Sequence, residues 1–430
     1  MKIVHRRAAL RAFAALALGA LAAGAFASGA ASASSPSRSY RNVAACSQPR
    51  QPGWATCFAL RRQTVVSGHA IGFGLKSRLA SLKVNGDAGF GATALRKAYG
   101  IRALGSRANV IAIIDATHSS TAFDDVSEYR KTFGLPPLTN CSLRAVAKQG
   151  LPGGKNPCFI QFDQNGAASL GSATQDAGWA QETALDLEMA SAACPKCSLL
   201  LVEGTTASFE DLSVAVSVAS GFEGVQAISN SYGGGDIAPD RFGQYAMAAA
   251  SGIAVTASSG DSGFGVQAPA SFDGVVAVGG TSLTVDSSGA WLGESVWAGS
   301  GSGCSSLNPA PAWQLFAGSS CPGKLTADVS AVADPATGVS VFFNGGWYVF
   351  GGTSASSPII AGLYALKNDF GASAGDFTAA NTNSLHDITS GSNAMTASTK
   401  RACKFAVWCN AGIGFDGPSG FGSPFGTAAF

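Results

Sequence analysis

Short apolar runs alternate with helix-length segments along most of this chain, and few folds accept that alternation. Asn109–Asp115 (NVIAIID) is a continuous apolar run ending in a carboxylate, and Phe123–Phe133 follows it with an amphipathic helical pattern. Farther on, Trp179–Ala193 predicts a helix, Ser198–Val202 a strand, Ser208–Ser220 a helix and Val225–Ser231 a strand. Arg241–Ser251 then predicts a helix, with Ile253–Ala257 and Val275–Val278 as further strands. Ser208 and Asp211 have the spacing of a capping box at one helix start. Strands that are apolar on both faces need cover on both faces, and intervening helices supply it. The pattern therefore argues for a parallel α/β sheet. In such sheets the ligand site lies beyond the carboxyl ends of the strands. The Gly-rich turns Tyr232–Gly235, Ser258–Gly263 and Gly351–Ser354 all sit at predicted strand ends and can form one cleft.

The last of these turns carries the most chemistry. An aromatic strand-like run, Trp347–Phe350, enters Gly-Gly-Thr-Ser354-Ala-Ser-Ser-Pro358, and an apolar helical run leaves it. A small side chain there sits at a helix N-terminus, where free N–H groups favour an anion. A serine nucleophile wants that setting, although a tight turn with an N-cap serine has the same pattern. The nucleophile needs a base, and the chain has only four histidines, His5, His69, His118 and His386, none at a Gly-rich helix start. Carboxylates are the alternative. Glu182 and Asp186 lie four apart on a predicted helix, which stacks them on one face about 6 Å apart. On a largely apolar helix two such groups share a proton, which suits acid–base work at low pH; a solvated helix face is the plain alternative. Glu188 points to another side and reads as surface. Asp261, in Ser-Ser-Gly-Asp-Ser-Gly, is either an Asx-turn residue or, when protonated, a donor to an oxyanion. Asp115, at its strand end, reads as structural or supporting.

Composition narrows the setting. The 430 residues suffice for one large domain or two ordinary ones. Only 13% are charged, about half the usual share, and with a net charge of +2 nothing suggests a nucleic-acid footprint. With few carboxylates to protonate, folding is expected to depend little on pH. Lys2, His5, Arg6, Arg7 and Arg11 precede the apolar stretch Ala12–Ala27, and Ala25-Phe26-Ala27 and Ala31-Ser32-Ala33 are both A-x-A cleavage candidates, so residues 1–33 read as a signal peptide. Ten cysteines fall in local pairs, Cys46/Cys57, Cys141/Cys158, Cys194/Cys197, Cys304/Cys321 and Cys403/Cys409. An even count in an exported chain favours disulfides, while connectivity stays open. Cys194-Pro-Lys-Cys197 has redox or zinc spacing, but no second such pair or nearby His completes a metal set, so a structural bridge is the better reading. Residues 34–87 have weak periodicity and read as a short pro-segment, with the compact domain over 88–430.

Taken in order, Glu182-Thr-Ala-Leu-Asp186, Ser-Gly-Asp261-Ser-Gly and Gly-Thr-Ser354-Ala-Ser-Ser-Pro resemble the sedolisins, the serine-carboxyl peptidases with a subtilisin-like fold. The resemblance runs from about Gly89 to Phe430. It implies a single large catalytic domain, a subtilisin-like parallel sheet flanked by helices. It implies Ser354 as nucleophile, Glu182 as its base, Asp186 as the partner of Glu182, and Asp261 as the oxyanion acid. His386-Asp-Ile388 with Gly412-Ile-Gly-Phe-Asp416-Gly resembles the family's Ca²⁺ site, with the Asp387 and Asp416 carboxylates and the carbonyls of Ile388, Gly412 and Gly414 as ligands; hard oxygen donors on glycine-bent backbone suit that ion. The pro-segment is much shorter than sedolisins usually carry, so its inhibitory role is open. The expectation is a secreted, extracellular, monomeric endopeptidase that cleaves polypeptides at acid pH through an acyl-enzyme, with no nucleic-acid partner and none in the membrane once the signal is removed. The alternatives are an inactive binding protein on the same fold and a serine hydrolase acting on esters.

Overall fold

The apolar runs become one sheet. The computed structural model describes residues 39–48, 51–66, 69–71, 89–141, 156–168, 174–315, 317–367 and 369–430, so the expected signal peptide lies outside them. All described residues belong to one compact unit, Ser39–Phe430. In chain order, the elements that place the site begin with strands β1 (Ser39–Ala44), β2 (Thr56–Cys57) and β3 (Leu60–Val66). Helix α1 (Ala92–Ala98), β4 (Val110–Ala116), α2 (Ala122–Thr132), β5 (Thr139–Asn140) and β6 (Cys158–Asp163) follow. Then come α3 (Ala177–Ala193), β7 (Ser198–Gly204), α4 (Phe209–Ser220), β8 (Val225–Asn230) and β9 (Tyr232–Gly235). Next are α5 (Gln244–Ala250), β10 (Ala254–Ser258), β11 (Gln267–Ala268), β12 (Val275–Val285) and β13 (Trp291–Val296). Strands β14 (Val329–Val332), β15 (Val339–Phe343) and β16 (Gly346–Gly351) lead to helix α6 (Thr353–Lys367).

The main sheet runs β13-β12-β10-β8-β4-β7-β6-β5, with β14 also on β12. Its pairs are parallel except β12–β13. Ile111, Ile113 and Ile114 of β4 are fully buried, and each such side chain stabilises the fold by about 1.5–3 kcal/mol. Register aligns Asp115 with Glu203 and Ile114 with Asn230, so polar residues collect at one end of the sheet. Helices α3 and α6 pack side by side. Gly362 permits this, since a Cβ there would come 2.5 Å from that of Ala193.

Helix α3 is buried around its whole circumference from Glu182 to Ala193. This overturns the reading of Glu188 as surface: it is fully buried, and its Oε2 accepts the Phe342 N–H at 3.0 Å. Asp176 starts the helix by accepting the N–H groups of Gly178 and Trp179, a cap worth about 1 kcal/mol. At α4, Ser208 does cap Asp211, but Asp211 turns its carboxylate to Thr206 instead of closing a reciprocal box. All ten cysteines form disulfides, in the five sequence-local pairs.

A second sheet, with order β1-β3-β16-β15, joins the described part of 34–87 to the body of the domain. Strand β3 lies antiparallel to β16, with Leu60 opposite Gly351. Among the described residues, no helix is long and apolar enough to cross a membrane.

Candidate active site

Ser354 occupies the first turn of α6 and is fully buried. The strand-to-helix corner before it is Gly352, with φ at +92°, where a side chain is strained. A Cβ there would also overlap both the Phe58 carbonyl oxygen and Asp261 Oδ2. Pro358 lacks an N–H, so the Ser354 carbonyl loses its usual helical donor; the Ser231 hydroxyl reaches that carbonyl at 3.5 Å. The Ser354 hydroxyl in turn donates to the Ser231 carbonyl at 3.1 Å.

The helix pair brings Glu182 and Asp186 to this serine. Both are fully buried. Glu182 Oε2 accepts the Ala59 N–H at 2.8 Å, and its Oε1 has no hydrogen-bond partner. Burial drives the Glu182 carboxyl well above its usual range, and the Asp115 charge adds to this. The nearby Ser354 hydroxyl opposes the rise, although it is turned toward Ser231 and makes no well-aligned bond to Glu182. Asp186 is also raised well above its usual range, by burial first and then by the charges of Asp115 and Glu182. Ser231 lies near enough to lower it, yet neither Asp186 oxygen completes a well-aligned hydrogen bond. Asp115 is fully buried and is pushed up to about 8 by burial, against the pull of the nearby Thr183 hydroxyl, although neither of its oxygens completes a well-aligned hydrogen bond. Three buried carboxyls in mutual repulsion cannot all ionise, so at least one proton stays in the cluster below neutral pH.

Asp261 reaches the turn through Gly352 and Thr353. Its Oδ1 accepts the Thr353 N–H at 2.7 Å and the Thr353 hydroxyl at 2.9 Å. Its Oδ2 is buried with no partner. Burial raises its pKa to about 7 against the pull of those two bonds. Protonated on Oδ2, this carboxyl is a donor with nothing in the protein to donate to except an oxygen beside Gly352.

All four residues expected from the sequence thus converge. The described histidine side chains are engaged elsewhere: His118 Nδ1 lies 3.0 Å from Glu203 Oε2, and His386 stacks on Trp291. Sequence reasoning missed Thr353 and Ser231, and it did not join Asp115 to the carboxyl pair. The one available signal was position, since Ser231 and Asp115 end adjacent strands and Thr353 precedes Ser354.

The C-terminal loop binds both of its expected aspartates through backbone N–H groups. Asp416 Oδ2 accepts the Gly412 N–H at 2.9 Å, and Asp387 Oδ2 accepts that of Gly414 at 3.0 Å. Both carboxylates are therefore held against one glycine-bent loop, and Ile388, next to Asp387, is buried.

The chain is similar to known peptidases in sequence and in fold. The subtilase family model matches residues 173–390. Sedolisin of Pseudomonas sp. (strain 101) is 28% identical over 418 residues, covering 89% of this chain and 68% of that protein. Kumamolisin of Bacillus sp. (strain MN-32) is 34% identical over 280 residues, covering 57% of this chain and 49% of that protein. Among solved structures, Pseudomonas sedolisin complexed with two molecules of pseudo-iodotyrostatin matches with a TM-score of 0.64 at 24% identity. That match covers 79% of this chain and 96% of the other, and it shows the shared fold.

Proposed function

Because the chain belongs to the sedolisin family, serine peptidases within the subtilase family, we propose that it is an endopeptidase acting at acid pH through Ser354, Glu182, Asp186 and Asp261. The observation that carries this reading is a fully buried serine beside the Glu182 carboxyl and next to the Thr353 that holds Asp261, with both described histidine side chains engaged elsewhere. Glu182 accepts the Ser354 proton as Oγ attacks a peptide carbonyl. Asp186 shares that proton, which lowers the cost of holding it in a dry site. Protonated Asp261 and the Ser354 N–H stabilise the oxyanion. The proton on Glu182 then goes to the leaving nitrogen, and water hydrolyses the acyl-enzyme with Glu182 as base. Asp261, with its pKa raised to about 7, is a donor only below neutrality, so activity falls as pH rises through that value.

The test is digestion of denatured casein by wild type and by Ser354→Ala. We expect the variant to lose activity at acid pH by about a millionfold while keeping its circular dichroism spectrum. Unchanged digestion, or an activity optimum above neutral pH, would refute the assignment.

We further propose that the chain is secreted, on the basic-then-apolar start of the sequence and the complete disulfide pairing. The loop of Asp387, Ile388, Gly412, Gly414 and Asp416 is proposed to hold Ca²⁺. Its donors are all hard oxygens, which fits that ion, and its contribution would be to brace the C-terminal segment rather than to enter the reaction.

A further inference from the structure

Residues 54–59 cross the active site as an extended peptide. Strand β2 lies antiparallel to β9, with Cys57 opposite Tyr232 and Thr56 opposite Gly233. Upstream, the Ala55 N–H donates to the Ala207 carbonyl at 2.8 Å. The Phe58 N–H donates to the Ser231 carbonyl at 3.2 Å, the same oxygen that accepts the Ser354 hydroxyl. A peptide laid along a strand edge, with its side chains in pockets, is one of the general ways proteins bind extended segments. Phe58 has such a pocket. Its side chain is 5% exposed, and its ring lies against Gly233, where a Cβ would come 2.8 Å from the ring and 2.9 Å from the Ala268 carbonyl. Glycine at 233 therefore leaves room for an aromatic ring.

The two atoms of the next peptide bond meet the two kinds of carboxyl in the site. The Phe58 carbonyl oxygen lies at Gly352, on the side of the unpartnered Asp261 Oδ2. The Ala59 nitrogen lies 2.8 Å from Glu182 Oε2. Across this single bond the carbonyl faces the oxyanion acid and the amide nitrogen faces the base. A strand serving only to brace the fold would need neither contact.

We propose that the Phe58–Ala59 peptide bond is a substrate of the enzyme's own Ser354, cut within the same molecule, and that the pocket at Gly233 and Ala268 takes an aromatic side chain on the acyl side of the cut. The inference rests on Ser354 being the nucleophile. Ser354 Oγ bonds to the Phe58 carbonyl carbon while its proton passes to Glu182. The bond from carbon to the Ala59 nitrogen breaks, and the nitrogen takes the proton from Glu182. Water then adds to the ester carbon and gives a proton to Glu182. As the ester bond breaks, that proton returns to Ser354 Oγ. The products are a carboxyl group on Phe58 and an amine on Ala59, for one water consumed. No disulfide links the two sides: Cys46–Cys57 closes a loop wholly before the cut, and the other four lie wholly after it.

The experiment uses the full chain, purified at neutral pH and shifted to acid, with N-termini followed by mass spectrometry and casein digestion measured in parallel. Wild type should acquire an N-terminus at Ala59 at a first-order rate independent of protein concentration, and Ser354→Ala should acquire none. Phe58→Asp should slow the appearance of that terminus roughly a hundredfold, since an apolar pocket rejects a charged side chain. A preparation that digests casein yet never shows an Ala59 terminus overturns this inference and leaves the peptidase reading standing. An Ala59 terminus in Ser354→Ala overturns it also. A rate proportional to protein concentration removes the intramolecular step. A wild type that cuts neither its own chain nor casein fails on both counts.

Discussion

Thr353 shows how much of this site depends on a residue with no reactive group. It is fully buried, gives its N–H and its hydroxyl to Asp261 Oδ1, and accepts the Gly260 N–H at 3.2 Å. Those bonds fix which Asp261 oxygen stays free. They also favour the ionised carboxylate, and so hold its pKa lower than burial alone would. Thr353→Val removes the hydroxyl, and with it one of the two bonds to Asp261 and the acceptor of the Gly260 N–H. The Asp261 pKa should then rise above about 7, so the alkaline limb of the pH–activity profile should move to higher pH. The kcat should fall about tenfold as the carboxyl loses its orientation. A lower kcat with an unmoved limb would mean that Thr353 only packs. Ser354, Glu182, Asp186 and Asp261 were legible in the sequence because each sits in a short motif with its own spacing. Thr353, Ser231 and Asp115 were not, because they act through contacts between elements that no local pattern encodes.

At the scale of elements, α3 and the C-terminal loop mark the two ends of what a pattern can reveal. Helix α3 was legible as a helix, with its carboxyl pair on one face. Its surroundings were not legible, and Glu188 was misread because acidic residues on helices ordinarily face water. Here β15 covers that side and supplies the Phe342 N–H as a partner. The C-terminal loop is the reverse case: its glycines and aspartates at alternate positions suggested a ligand set, and the fold brings both carboxylates against that loop. If the loop holds Ca²⁺, millimolar Ca²⁺ should raise the Tm in calorimetry by a few degrees, since a ligand bound only to the native state stabilises it by about 2–3 kcal/mol at a hundredfold excess over Kd. The rise should vanish in Asp416→Asn. An equal rise in both proteins would place the ion elsewhere.

For the whole molecule, the buried carboxyls reverse the expectation of a pH-indifferent fold. Few carboxylates are present, but Asp115 is pushed up to about 8 and Asp261 to about 7. Glu182, Asp186, Glu188 and Glu203 are raised as well, each chiefly by burial. A carboxyl whose folded pKa exceeds its unfolded value holds its proton more tightly in the native state. Its stabilising contribution is complete below the unfolded pKa, near 4, and is lost as pH rises toward the folded one. The Tm should therefore be several degrees higher near pH 4 than near pH 8, and a flat or opposite trend would refute the burial argument. The charge count was legible in the sequence, but its consequence was not, because burial follows from packing. The same packing sets the status of residues 54–59. Strand β3 ties them to β16, β1 ties back to β3, and the Cys46–Cys57 bridge closes the loop between. A peptide held to its own cleft by so short a tether is present there at an effective concentration on the order of millimolar. Any free peptide entering the intact molecule competes with an occupant that dilution cannot remove.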